Sequence, residues 1–135
     1  MSAGLAIQQT VYEILTADVP LTSKISKVYD GFPDLSKEAV KFPFISIGDT
    51  NSNPFVQFEH MGEEIFMTIH IWSRYKGYKE GQQIVGDVQR LLAQQELTVD
   101  GFGAVSSYFD SSDTMRDEDG ITRHLMVRYR FQIQY

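Results

Sequence analysis

Cysteine is absent from this chain of 135 residues. Its absence excludes a disulfide framework, a thiolate-built zinc or iron–sulfur site and a cysteine nucleophile, and it leaves the compartment unreadable from redox usage. Positive charge is scarce: 12 Lys+Arg stand against 18 Asp+Glu, a formal net charge of −6. Such a balance lacks the cationic footprint that duplex nucleic acid needs for counterion release. Long apolar runs are missing as well. None approaches the roughly 18 residues of a membrane span. The opening MSAGLAIQQT has neither the basic region nor the apolar stretch of a secretory signal, so a soluble chain with no membrane partner is expected. Gly-x-Ser-x-Gly, Gly-x-Gly-x-x-Gly and Walker A patterns do not occur. Gly101-Phe102-Gly103 lacks a third glycine and a following helix, and reads as a turn.

What is present suffices for one domain over residues 1–135, because a chain of this size buries roughly two-thirds of its unfolded surface without staples. Ile7, Val11, Ile14 and Leu15 recur at i, i+4, i+7 and i+8, with Gln8, Gln9 and Glu13 off that stripe. This spacing predicts an amphipathic helix from Ser2 or Ala3 to Thr16, with Ser2 as N-cap and Asp18-Val19-Pro20 as the stop. Residues 21–30 predict a short helical turn and then a short strand at 27–29, followed by a turn at Gly31-Phe32-Pro33.

Ile45 and Ile47 alternate with Phe44, Ser46 and Gly48, which predicts a strand over 42–49. The polar stretch 51–62 is long for a hairpin, so it either carries two strands outward or forms a loop with a task of its own. Residues 64–72, EIFMTIHIW, are apolar on both faces and suit the middle of a sheet. Ile84, Val88, Leu91 and Leu92 repeat the first helix's spacing between Gly77 and the polar Gln94-Gln95-Glu96. A strand is expected from Ala104 to Met115 with Val105, Ser107, Phe109 and Ser111 on one face, then a hairpin turn at Asp119-Gly120. The last strand puts Ile121, Leu125, Val127, Tyr129, Phe131, Ile133 and Tyr135 on one face, broken by Arg123, and Thr122, His124, Arg128, Arg130, Gln132 and Gln134 on the other. The economical arrangement is α+β: two helices packed on one face of a mainly antiparallel sheet of four to five strands.

The candidate chemical groups are sparse. His60 is placed in a loop, His70 packed among Phe66 and Trp72, and His124 on the solvated face beside Arg128; their spacing is not that of a metal site. Asp110, Asp113, Asp117, Glu118 and Asp119 crowd the hairpin, but no window supplies the ligand positions of an EF-hand. Neither a metal nor a cofactor nor a catalytic residue is expected. The acidic turn lies beside a basic strand carrying Arg123, Arg128 and Arg130, with Arg116 across the hairpin. That polarity suits head-to-tail pairing of copies, which closes into a ring. An ordinary solvated sheet face fits the same residues. Phe55, Phe58, Met61, Trp72, Tyr75 and Tyr78 add large side chains in or beside loops, as interface anchors do. On this reading, reversing the charge of Asp117 and Asp119 together leaves the fold intact and weakens assembly.

The chain also resembles a known family, the tail-completion or tail terminator proteins of long-tailed bacteriophages. The likeness runs through Ile14-Leu15-Thr16-Ala17-Asp18, Val28-Tyr29-Asp30-Gly31-Phe32-Pro33, the stretch from Phe42 to Asp49, and Met67-Thr68-Ile69-His70-Ile71-Trp72-Ser73-Arg74. It closes with Arg116-Asp117-Glu118-Asp119-Gly120-Ile121-Thr122-Arg123-His124 and Arg128-Tyr129-Arg130-Phe131. The resemblance implies a structural virion protein, assembled in the host bacterial cytoplasm. It would form a hexameric ring at the head-proximal end of the tail, even where the free chain is a monomer. Its partners would be further copies of itself, the tail tube protein and the head connector or stopper, with DNA passing through unbound. Residues 51–62 and 110–120 would make the contacts, with Phe55, Phe58, Met61, Asp110, Asp113, Asp117, Asp119, Arg123, Arg128 and Arg130 as candidates. Two alternatives stand beside it: a head-completion or neck protein of the same particle, and a small carboxylate-dependent hydrolase.

Overall fold

The computed structural model describes residues 2–36, 39–57 and 60–134. Helix α1, Ala3–Ala17, begins where expected: the Ser2 hydroxyl accepts from the Leu5 N–H at 3.2 Å. Ala3, Ala6, Ile7, Val11 and Leu15 form its buried stripe. Asp18 ends α1 and caps the one-turn helix α2, Val19–Thr22, by accepting from the Leu21 N–H at 3.1 Å. Strand β1, Val28–Asp30, follows, then β2, Phe44–Gln57, and β3, His60–Ser73. Helix α3, Lys79–Leu92, leads into β4, Gln95–Val99, β5, Gly103–Arg116, and β6, Arg123–Gln134.

The strands form a six-stranded sheet in the order β1-β2-β3-β6-β5-β4. β1 runs parallel to β2, and the other neighbours are antiparallel. The expected α+β class holds, while the expected two helices on four to five mainly antiparallel strands are corrected, among the described residues, to three helices on a mixed six-stranded sheet. β4 escapes notice because only Leu97 and Val99 alternate inward behind the polar Gln95 and Glu96. The polar stretch after Asn51 is not a loop. β2 and β3 continue in register from Thr50↔Met67 to Gln57↔His60, so His60 lies on a strand.

Ile45 and Ile47 of β2, Ile65 to Ile71 of β3, and Leu125 to Ile133 of β6 face the helices in alternation. With Ile7, Val11, Leu15, Ile84, Val88 and Leu92 they make one buried cluster. Two polar bonds register α3 on this layer. The Tyr129 hydroxyl donates to Gln89 Oε1 at 2.6 Å, and the buried Ser107 hydroxyl donates to the Leu92 carbonyl at 2.6 Å. Burial raises the Tyr129 phenol well above its usual range, so it stays a donor. At the helix ends, Arg90 grips Asp18 at 2.6 Å and Lys24 grips Asp87 at 2.6 Å.

Two bulges depart from the expected alternation. One lies between Gly48 and Thr50, where Asp49 takes φ +51°, and one between Phe109 and Ser111. The second turns Ser111 to the face of Arg128, away from Val105 and Ser107. Ile121, expected on the inner face of the last strand, lies instead in the turn before β6 and is 60% exposed.

The two glycines of α3 test this packing. A Cβ on Gly81 would stand 2.5 Å from Leu125 Cδ1 and 3.3 Å from its Cγ, while one on Gly86 meets nothing within 4 Å. Leu125 is fully buried and cannot swing aside. Gly86→Ala should therefore stabilise by about 0.5–1 kcal/mol. Gly81→Ala should destabilise despite the same helix preference, because overpacking costs about 1–3 kcal/mol. Thermal melts of the two variants, moving in opposite directions, check this.

Candidate assembly interface

The hairpin between β5 and β6 is built around Asp119. Its carboxylate accepts from the Ile121 N–H at 2.8 Å, the Thr122 N–H at 2.8 Å and the Thr122 hydroxyl at 2.7 Å. These bonds, with the Thr122 backbone first, hold the acid down to about 2. Arg74 Nε donates to the same Thr122 hydroxyl at 3.2 Å, tying the turn to the end of β3. Asp117 carries the other half of the turn. Its N–H donates to the Thr122 carbonyl at 2.9 Å, and its carboxylate accepts from the Glu118 N–H at 2.8 Å. Reversing both charges removes the carboxylate hydrogen bonds of this turn and leaves its Asp117–Thr122 main-chain bond, so the two carboxylates hold more of the turn than their exposure suggests. Asp110 and Asp113 lie further down β5 and are exposed.

The basic strand is largely satisfied within its own chain. Arg128 lies 3.5 Å from Asp110 and 4.3 Å over the Phe66 ring; Arg130 lies 3.0 Å from Glu64 and 4.9 Å over Tyr108. Arg123 donates to the Gly120 and Ile121 carbonyls at 3.3 and 2.9 Å, and packs 5.6 Å from the Tyr78 ring. Its buried Nε has no partner among the described residues. Of the other candidates, Met61 is 61% exposed near the start of β3. Phe55 lies on the β2 backbone opposite Gly62. Its side chain, and Phe58 altogether, fall outside the described residues.

On the sheet face away from the helices the structure joins residues that the sequence kept apart. His70 and His124 are paired neighbours of β3 and β6, two residues out of direct register, with His70 Nδ1 2.7 Å from His124 Nε2. The other nitrogen of His70 lies 3.2 Å from the Asp49 carboxylate at the bulge. If Asp49 accepts from His70 Nε2–H, His70 Nδ1 accepts in turn from His124 Nε2–H. His124 stacks on Trp72 at 3.8 Å between ring centroids, and Trp72 Nε1 donates to the buried Ser46 hydroxyl at 3.1 Å. Phe32 closes against Trp72 at 4.9 Å. Phe32, Ser46, Asp49, His70 and Trp72, with Gly48, border an open groove of about 510 Å³. His124 is therefore half-buried under its neighbours, not a free member of the solvated face. The alternation of His70, Trp72 and His124 on one side of two strands was the sequence signal; their pairing needed the register.

Burial, and then the nearby His70, push His124 down to about 4 from its usual 6.5, against weaker pulls from Asp117 and Asp49. In that interval the unfolded chain takes up a proton that the folded chain refuses. Stability contributed by neutral His124 is complete above about pH 6.5 and is lost as the pH falls toward about 4. Asp119 acts lower, since its contribution is present above about 4 and is lost as the pH falls toward about 2. Melting temperature measured from about pH 7 to about pH 3 should decline in both windows. His124→Gln should flatten the upper one and leave the lower.

Residues 9–134 match the family described as Tail completion protein gp17. The tail completion protein gp17 of Bacillus phage SPP1 is 30% identical over 133 residues, covering 97% of this chain and 94% of its own. The solved structure of bacteriophage SPP1 gp17 superposes with a TM-score of 0.64 at 28% identity, over 97% of this chain and 91% of that one. A chain from the virion of a native gene transfer agent particle shares the fold with a TM-score of 0.87 at 19% identity, over 99% and 98% of the two chains. The resemblance carried by the strand-end and hairpin motifs is thereby borne out, and the chain belongs to the Tail completion protein gp17 family.

Proposed function

We propose that this protein forms a ring, hexameric in the assembled particle, that ends the tail tube and provides the surface on which the head connector docks. Membership of the family makes the chain a structural tail completion protein of a phage-type virion and not an enzyme. The observation that carries the finer reading is the 30% identity to a tail completion protein over 97% of this chain, a span that takes in helices and sheet alike. The surface chemistry is consistent with it. Two grooves of about 490 and 510 Å³ are open, and the one against α1 is bordered by Leu5, Tyr12, Glu13, Asp30 and Ile47 with no converging catalytic set. A net charge of −6 suits a ring that lets DNA pass without holding it.

In this reading the tail tube and the head connector meet opposite faces of the ring. Phe55, Phe58 and Met61 at the β2–β3 end, and Asp110 and Asp113 on β5, contact neighbouring copies or those partners. Arg123, Arg128 and Arg130 add to the same surfaces, while Asp117 and Asp119 serve chiefly by shaping the turn. Negative-stain electron microscopy of lysates from the parent phage with this gene disrupted tests the role. Unattached tails of uncontrolled length beside filled heads are expected. Normal tails beside leaking or empty heads would move the protein to the head side of the joint, and intact infectious particles would overturn the structural role.

A further inference from the structure

The sheet is stepped at both edges. β1 covers β2 only along Ile45 to Ile47, and β4 covers β5 only along Gly103 to Ser107. Beyond those limits residues 50–56 of β2 and 110–116 of β5 have no strand on their outer side among the described residues, and each run is seven residues long. Each free run begins at a bulge: Asp49 opens the one on β2, and the Phe109/Ser111 irregularity opens the one on β5. The Phe109 N–H, donating to Gln94 Oε1 at 2.9 Å, marks where the covered part of β5 ends. Unpaired main-chain groups along an edge are a template for another strand.

We propose that consecutive copies of this chain join edge to edge, residues 50–56 of one pairing antiparallel with residues 110–116 of the next. The inference deepens the ring reading above and rests on it. Three features of the fold converge on this seam. The first is direction: β2 and β5 run opposite ways within one chain, as the alternating antiparallel ladder from β2 through β3 and β6 to β5 requires. Copies related by rotation about a ring axis therefore meet antiparallel at these edges without inversion.

The second is register. Thr50 and Ser52 pair with the inward Met67 and Ile65, while Ser112 and Thr114 pair with the inward Val127 and Leu125. Keeping inward residues opposite inward residues allows only every second register. Of these, the one that opposes Thr50 to Arg116, Ser52 to Thr114 and Asn53 to Asp113 fits both steps. Arg116 then stops just short of the level of β1, and Gln57 stops short of the neighbour's β4, which begins beside Ser107.

The third is inclination. Straight across one sheet, Ser52 lies level with Ile65, Phe131 and Ser107, whereas the next copy's Ser52 would lie beside Thr114. Allowing for the bulge, that is a rise of about six residues, ~20 Å, over four strand spacings of ~4.8 Å. Strands inclined by about 45° to the ring axis satisfy it, close to the tilt of closed barrels. Like-with-like pairing is disfavoured: two β5 edges would bring Asp110 and Asp113 of both copies together, and two β2 edges would place two Pro54 residues, neither with an N–H to give, along one short seam.

A chain without cysteine makes the seam directly readable. Two double variants, Ser52→Cys with Thr114→Cys and Asn53→Cys with Asp113→Cys, each place thiols on one face at the proposed register. Cross-strand Cα separations of about 4.5–5.5 Å lie within disulfide reach. Purified tails or particles carrying these variants, oxidised and run on non-reducing gels, should show a ladder of linked multimers above the dimer for at least one pair. The four single-cysteine variants should remain monomers. Linked dimers from a single-cysteine variant would mean like-with-like edges and would overturn the proposal. So would unlinked double variants in particles where a lysine-reactive reagent does join copies, an outcome that leaves the ring itself standing. Particles in which that reagent joins no copies and quantitation finds one chain per tail would remove the ring, and the seam with it.

Discussion

Pairing of β3 with β6 over twelve consecutive residues, from Gly62↔Gln134 to Ser73↔Arg123 without a bulge, is the constraint on which the rest of the structure depends. It sets Ile65, Met67, Ile69 and Ile71 beside Phe131, Tyr129, Val127 and Leu125, all buried. That surface has to be covered: α3 packs directly on β3 and β6, and α1 joins the same buried cluster from the side of β1, β2 and β4. A one-residue slip would turn every one of these side chains to the other face, so the central register is strongly specified. The outer strands then attach to a layer whose geometry is already decided.

Charge on this protein is mostly spent locally. The arginines of β6 lie beside their own chain's carboxylates and rings, and Asp119 accepts three hydrogen bonds from the turn it begins. Exposed ion pairs of this kind add little to stability. Their larger effect is to hold long side chains flat on the sheet. Among the described residues, main-chain donors and acceptors are left without a strand partner along the two stepped edges. Edges of that kind select a partner strand by shape and register, with side-chain charge serving to reject wrong pairings.

Much of the fold was legible in residue order. The Ser2 cap, the Ile7, Val11 and Leu15 stripe and the Pro20 stop define α1 from nearest neighbours alone, because capping and periodicity act within a few residues. The α3 stripe, the strand at Val28 and the alternation of β6 were readable for the same reason. Less visible were β4, whose two inward residues are too few to stand out from polar neighbours, and the bulges, which shift a strand's facing without changing its composition. The polar run after Asn51 left a strand pair and a loop equally open, since a ladder bonds through the main chain whatever its side chains.

The candidate site divides along the same line. By itself the sequence determined the acidic hairpin, the basic strand, the family motifs and the lack of any thiol or phosphate-binding machinery, each a matter of which residues stand within a few positions of one another. Only the tertiary structure decided that His70, His124, Trp72 and Asp49 form one network, and that Asp119 belongs to its own turn. It also decided that the sheet ends in two complementary steps. Residues 54 positions apart, as His70 and His124 are, meet through strand register, and register is set by the burial of the whole apolar face at once.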